Sequence, residues 1–411
     1  MPPARPHYLD FDAETRSLRL DPHQPEFVQD PYAAYAWMHE HARAFFWHEF
    51  GIWCFAGYDD VNALLRDRRI GRQPPGPFDH SGREHLANFD RLDANSMLEL
   101  EPPVHTRLRT LVNRAFVSRQ VERLRPRITA LAHELIDRIE GDGGADLLPA
   151  LATPVPITVI AEMLGVPLDM GPQLLDWSHR MVAMYMHGRT RAVEDDANRA
   201  AGEFSDFVRH YANERRRKPG DDLLSLLISA HESGDKLTED ELVASTILLL
   251  NAGHEATVHQ TGNAIRTMLK LDVDPRPFFA TAEDAAATVE ECLRIDAPLH
   301  MFRRYAYATT ALPQGVTIDA GEEVGLLLGA ANHDVRSFVD PGRFNPGRAD
   351  QKNLSFGAGI HFCIGAPLAR IEMQETLRVL FERLPRLRLA SEPVYRDSYH
   401  FHGLRSLDVV W

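Results

Sequence analysis

Residues 242–250 (LVASTILLL) are apolar on every side when wound as a helix, which predicts a buried helix rather than a surface one. Thr238 and Glu241 mark its start. They are three apart and suit a capping box, in which each satisfies a free backbone donor of the first turn. Helical spacing then runs to about Leu271. A helix of roughly 30 residues and about 45 Å would cross the whole molecule.

The pattern around it is mostly helical from Pro102 onward. Residues 73–95, rich in Pro, Gly and charge, read as a long exposed loop. Gly, Pro and β-branched residues over 309–328 predict short strands. Helical spacing returns after Pro367, and residues 394–411 read as a turn with short strands. No internal repeat or low-complexity linker divides the chain. The expectation is one domain over residues 1–411, mainly α with minor β.

Composition narrows the function. A net charge of -14 argues against general nucleic-acid binding, which needs a basic face for phosphate. The N-terminal residues lack the apolar core of a signal peptide, and the apolar runs are shorter than the roughly 20 residues of a membrane span. A cytoplasmic protein without a membrane segment is expected. The three cysteines, Cys54, Cys292 and Cys363, are far apart and form neither a disulfide framework nor a structural zinc site.

The most informative segment is Phe356-Gly-Ala-Gly-Ile-His-Phe-Cys363-Ile-Gly365. Glycines at 357, 359 and 365 allow turns closed to other residues and close approach to a flat ligand. Pro367 suits a first helical turn, so Cys363 should lie just before a helix N-terminus. Free N–H groups there favour a thiolate. An isolated cysteine is more often a small buried hydrophobe, and its surroundings decide between the two.

Phe356, Gly359, His361, Cys363 and Gly365 match FxxGx(R/H)xCxG, and here the chain resembles the cytochrome P450 family. Haem–cysteinate ligation is a general property of that family rather than a reading of these residues. The resemblance implies haem b as cofactor, with Cys363 as its iron ligand, and a P450 fold with haem between the long central helix and the cysteine-loop helix. His105-Thr-Arg-Leu-Arg109 resembles the family's HTRLR helix, with His105 and Arg109 on one face. By the same resemblance His105, Arg109, Arg304 and His361 meet the haem propionates, whose burial unpaired would be costly. Glu291-Cys-Leu-Arg294 resembles ExxR, and the segment 340–344 resembles the one that adds a second arginine, assigned to Arg343. Arg107 and Arg114 form either a basic patch for an acidic electron donor or an ordinary solvated helix face.

Ala252-Gly-His-Glu255-Ala256-Thr257 follows the family's central-helix pattern AGx(D/E)T(T/S) with one departure. Small residues at 252, 253 and 256 are expected to leave room for haem and dioxygen, and Glu255 to relay protons. The usual threonine after the acid is Ala256, and Thr257 lies about 100° further round the helix. Proton delivery must then use ordered water or a hydroxyl on the substrate. His254 and His259 imitate the zinc motif HExxH, but they are five apart where that motif needs four, so zinc proteolysis is not expected.

The resemblance thus implies a monooxygenase using dioxygen and electrons from a separate ferredoxin and ferredoxin reductase, since no flavin or nicotinamide segment is visible. Its substrate is a small, largely apolar molecule with a polar handle. By analogy the pocket draws on Met97, Met184, Leu248, Asn251, Ala252, Leu299, Met301 and Phe401. Met181 and Met186 join Met184 as possible lining of an adaptable cavity. The alternatives are a peroxide-using or coupling enzyme of the same fold, and a non-catalytic haem-binding protein.

Overall fold

The computed structural model describes every residue except 1, 2, 77–80, 115, 233–236, 272, 350 and 351. The central helix is Glu239–Leu269, within two residues of the span read from the pattern. Its capping box is formed. The Glu241 N–H donates to Thr238 Oγ1 at 3.1 Å, and the Thr238 N–H donates to Glu241 Oε2 at 2.8 Å. Glu241 also accepts from Arg107 at 3.0 Å and 2.5 Å, which ties this end to the helix Val104–Asn113. Arg107 is therefore committed to an ion pair with Glu241 within the fold's surface layer.

The central helix buries most of its circumference because helices lie on several sides of it. They include Pro154–Leu164, Arg191–Arg217, Ala282–Ile295 and Ala366–Arg383. Gly253 is where Pro154–Leu164 comes closest: a Cβ there would lie 2.8 Å from Ile160 Cγ1. The missing side chain at 253 thus serves helix packing, while Gly253 also lines the cavity described below.

Beside the helices stands a seven-stranded sheet in the order 10–12, 17–19, 44–47, 52–55, 323–327, 301–306 and 70–71. The N-terminal strands were absent from the sequence reading. They are three or four residues long, too short to show an alternation. Glu323–Leu327 pairs parallel with Ile52–Phe55 and antiparallel with Met301–Ala306, placing Val324 opposite Arg304. The sheet pinches at Gly325, where a Cβ would meet Cys54 Sγ at 2.6 Å and Met301 Sδ at 3.0 Å.

The loop expected over 73–95 contains a helix, Ala87–Asp93, while residues 77–80 lie outside the described residues. Phe89 and Leu92 bury its inner face. Among the described residues no helix is long and apolar enough to cross a membrane.

Candidate active site

The cysteine loop is held at both ends. The Cys363 N–H donates to the Phe356 carbonyl at 2.9 Å, and the helix Ala366–Arg383 starts three residues later with proline in its first turn. Gly359 has φ +72, and a Cβ there would lie 2.3 Å from the Leu65 carbonyl oxygen, so only glycine lets the loop press this close. Gly365 differs from expectation. Its backbone is ordinary (φ -80), and its missing side chain leaves clear space beside Cys363 Sγ, which would be 3.9 Å from a Cβ. Phe356 is capped by the Arg370 guanidinium, 4.6 Å above its ring.

Cys363 is exposed and lines a cavity of about 310 Å³ together with Phe356, Gly365 and Arg109. Burial pushes its thiol up, while the Gly365 and Ala366 N–H groups, Arg109 and Arg370 pull it back down. Burial wins, so the helix end alone does not make a thiolate here. A bound metal cation would supply the missing positive charge.

Ala252, Glu255, Ala256 and Thr257 bring the central helix to another wall of the same cavity. Glu255 sits among three histidines, with Oε2 3.4 Å from His179 Nε2 and 3.6 Å from His254 Nε2, and Oε1 3.3 Å from His259 Nε2. Burial opposes its charge, but His179 and His259 outweigh burial and hold the carboxyl well below the usual range. Sequence reasoning missed His179 and met His259 only as half of the zinc-like pair, not as a partner of Glu255. The partner His179 comes from another helix, Gly171–Val182, and spacing along the central helix cannot reveal it.

The polar groups near the loop converge too. The Arg109 guanidinium donates to the Phe362 carbonyl at 2.5 Å, and the His105 and His361 rings lie 4.5 Å apart. Both His105 ring nitrogens are buried without a hydrogen-bond partner. His361 Nε2 is 3.0 Å from Glu101 Oε1, a carboxylate the sequence did not single out. Burial, with His361 and Arg109 nearby, lowers His105 to about 4, and burial lowers His361 as well. The two rings are thus neutral donors near pH 7. Arg304 is buried, with burial and the nearby Arg72 lowering it to about 9, so it keeps its charge at neutral pH. Its guanidinium donates to the Arg303 carbonyl at 2.7 Å. A cation desolvated to this degree near His361, with two orphaned nitrogens on the His105 ring that packs against His361, fits an incoming group that carries carboxylates.

Six of the eight expected pocket residues line the cavity: Met97, Leu248, Asn251, Ala252, Leu299 and Phe401. A bridge between Leu299 and Phe401 brings in the C-terminal turn. Met301 is corrected. Its side chain faces the sheet pinch at Gly325 and joins the core beside Cys54. Met184 is buried in the helical core, and Met186 is exposed; Met181 and Tyr185 line the wall instead. Asn251 Nδ2 reaches Met181 Sδ at 3.7 Å, and its Oδ1 is buried without a partner. Arg343 is also corrected. Its side chain is exposed, and Arg348 takes the place assigned to it.

Arg294 donates to both oxygens of Glu291, at 2.8 Å and 2.7 Å, and to the Asn332 carbonyl at 2.9 Å. Asn332 in turn bonds Ser355, next to Phe356. The buried pair thus braces the start of the cysteine loop.

The sequence profile of the cytochrome P450 family matches residues 76–270 and 285–387. The chain is 34% identical to "Polyketide biosynthesis cytochrome P450 PksS" of Bacillus subtilis (strain 168), covering 95% of this chain and 98% of that protein. It is 35% identical to "Cytochrome P450 monooxygenase PikC" of Streptomyces venezuelae, covering 94% and 92%. The crystal structure of P450BioI in complex with an acyl carrier protein ligated to hexadec-9Z-enoic acid superposes with a TM-score of 0.88 at 33% identity, over 94% of this chain and 100% of that one. With a thiol, buried donors and a central-helix acid around one cavity, and relatives matched nearly end to end, the chain belongs to the cytochrome P450 family as a haem-dependent monooxygenase of the bacterial type.

Proposed function

We propose that this enzyme is a cytoplasmic, single-domain haem-thiolate monooxygenase. It hydroxylates, or otherwise oxidises, a small and largely apolar organic molecule, taking electrons from a separate ferredoxin and its reductase. The observation that carries this reading is that Cys363 and Glu255 line one cavity whose remaining wall is mostly apolar. Haem, when bound, supplies dioxygen binding and oxidising power.

The chain's own groups do the rest. Cys363 would ligate the haem iron, and Phe356, Gly359 and Gly365 shape the loop that presents it. His105, Arg109, Arg304 and His361 would hold the propionates, two as neutral donors and two as cations. Glu255, held ionised by its histidines, takes a proton only transiently and passes it into the cavity. Ala256 offers no hydroxyl there. The buried, unpaired Asn251 Oδ1 favours a substrate that donates a hydrogen bond, and such a polar handle can also order the proton path.

The carbon monoxide difference spectrum of the dithionite-reduced protein tests the reading, with Cys363→Ser alongside. A Soret band characteristic of thiolate ligation, absent from the variant, is expected. A folded, haem-supplied protein without that band overturns it.

A further inference from the structure

The sequence sets His254 and His259 five apart and so rules out a zinc-protease pair. The fold instead brings a histidine from elsewhere. His179, on the helix Gly171–Val182, meets His254 and Glu255 of the central helix. His179 Nε2 or Nδ1, one His254 ring nitrogen and one Glu255 oxygen all lie within 4.8 Å of one another. Two of the edges at Glu255 Oε2, 3.4 Å to His179 Nε2 and 3.6 Å to His254 Nε2, are close to the edge of about 3.3 Å expected for a tetrahedron with zinc–ligand bonds of about 2.0–2.1 Å.

The state of His254 points the same way. Its Nδ1 is 2.7 Å from the Leu250 carbonyl oxygen, which can only accept, so Nδ1 carries the hydrogen and Nε2 the lone pair. That Nε2 is buried without a hydrogen-bond partner, on a residue only 1% exposed. A backbone carbonyl fixing one ring nitrogen while the other aims its lone pair into the site is how metal-binding histidines are commonly oriented. His259 lies against the other Glu255 oxygen and would steady the carboxylate. His179 is half exposed and gives an ion a way in.

We propose that His179, His254 and Glu255 form a binding site for a zinc-class divalent cation, with water completing the shell. Two imidazoles and one carboxylate suit zinc over magnesium or calcium, which prefer oxygen donors. The ion binds beside the cavity and occupies the Glu255 oxygen nearest solvent-reached His179. The site does not depend on the proton role given to Glu255 above.

The test uses untagged holoprotein, stripped with a chelator and dialysed against micromolar zinc chloride. Zinc is then measured by elemental analysis against haem iron. One zinc per haem is expected, unaffected by excess magnesium. His179→Gln and His254→Gln should each weaken retention by about tenfold or more. Surface binding is controlled by His210→Gln, a residue 76% exposed, which should retain zinc like the parent. Haem absorbance and far-ultraviolet dichroism report folding. If His254→Gln does not fold, the half-exposed His179 decides alone. Zinc retained equally by the parent and the His179 variant, or lost from the parent on dialysis, overturns the site.

Discussion

Arg348 Nε lies 3.1 Å from Glu291 Oε1 and 3.2 Å from Oε2, joining Arg294 on one buried carboxylate. Three of the four remaining guanidinium hydrogens of Arg348 go to the carbonyls of Val339, Asp340 and Arg343. Arg294 stays on Glu291 when Arg348 is removed, so the loss is that of charge-assisted hydrogen bonds, about 1.5–3 kcal/mol. Arg348→Met should therefore destabilise by that amount and lower haem retention, because the same network reaches Ser355. Arg343→Ala should stay within about 0.5 kcal/mol. Urea unfolding of both variants checks this, and equal costs for the two would contradict the geometry.

Ala256→Thr restores the hydroxyl usual in the family at a position on the cavity wall. If substrate or water already completes the proton path, the new hydroxyl competes with it, and the fraction of reductant converted to product should drop sharply. Product formed per reductant consumed is the measurement. Unchanged or improved coupling would count against a substrate-assisted path.

Glu372, on the helix after the cysteine loop, is buried with neither oxygen hydrogen-bonded among the described residues. Burial pushes its carboxyl well above the usual range, which favours the uncharged acid. A buried polar group without partners costs on the order of 1–3 kcal/mol. Glu372→Met, similar in size, should stabilise the protein by about 1 kcal/mol in urea melts. A loss of stability would mean that the acid has a role in the folded protein.

Burial lowers His333 to about 3 and His300 well below its ordinary value. Both are neutral when folded, and both would take up protons when unfolded near pH 6.5 or below. Their contribution to stability is complete above about pH 6.5 and falls as pH drops from there toward 3, by up to about 1.4 kcal/mol per pH unit for each ring. His179, drawn up chiefly by Glu255, works in the opposite sense and offsets part of this loss. Urea midpoints should fall between pH 7.5 and 5.5, and His333→Gln should flatten the fall. A midpoint independent of pH would refute the assignment.

The parts legible in the sequence were local. The capping box, the central helix and the proline-started helix after Cys363 were read within a residue or two, because each is set by neighbours along the chain. Residues tied to a motif, such as Glu255 and Cys363, were found for the same reason. Contacts made by the fold were not found. His179 approaches Glu255 from another helix, and Glu101 meets His361 across 260 positions. Arg348 was missed for a different reason: two arginines lie five apart in one irregular segment, and spacing cannot say which one turns inward. Met301 failed because a strand side chain has two faces, and only the pinch at Gly325 shows which it uses.

The contact between Gly253 and Ile160 bears on how this enzyme could change. A lost hydroxyl can in principle be rebuilt by mutation at any neighbouring cavity position. Position 253 is closed to that repair, because even one added carbon would collide with Ile160. The routes left run through Ala252 and Ala256, so a hydroxyl can enter this stretch of the cavity wall only where one of these two alanines is replaced.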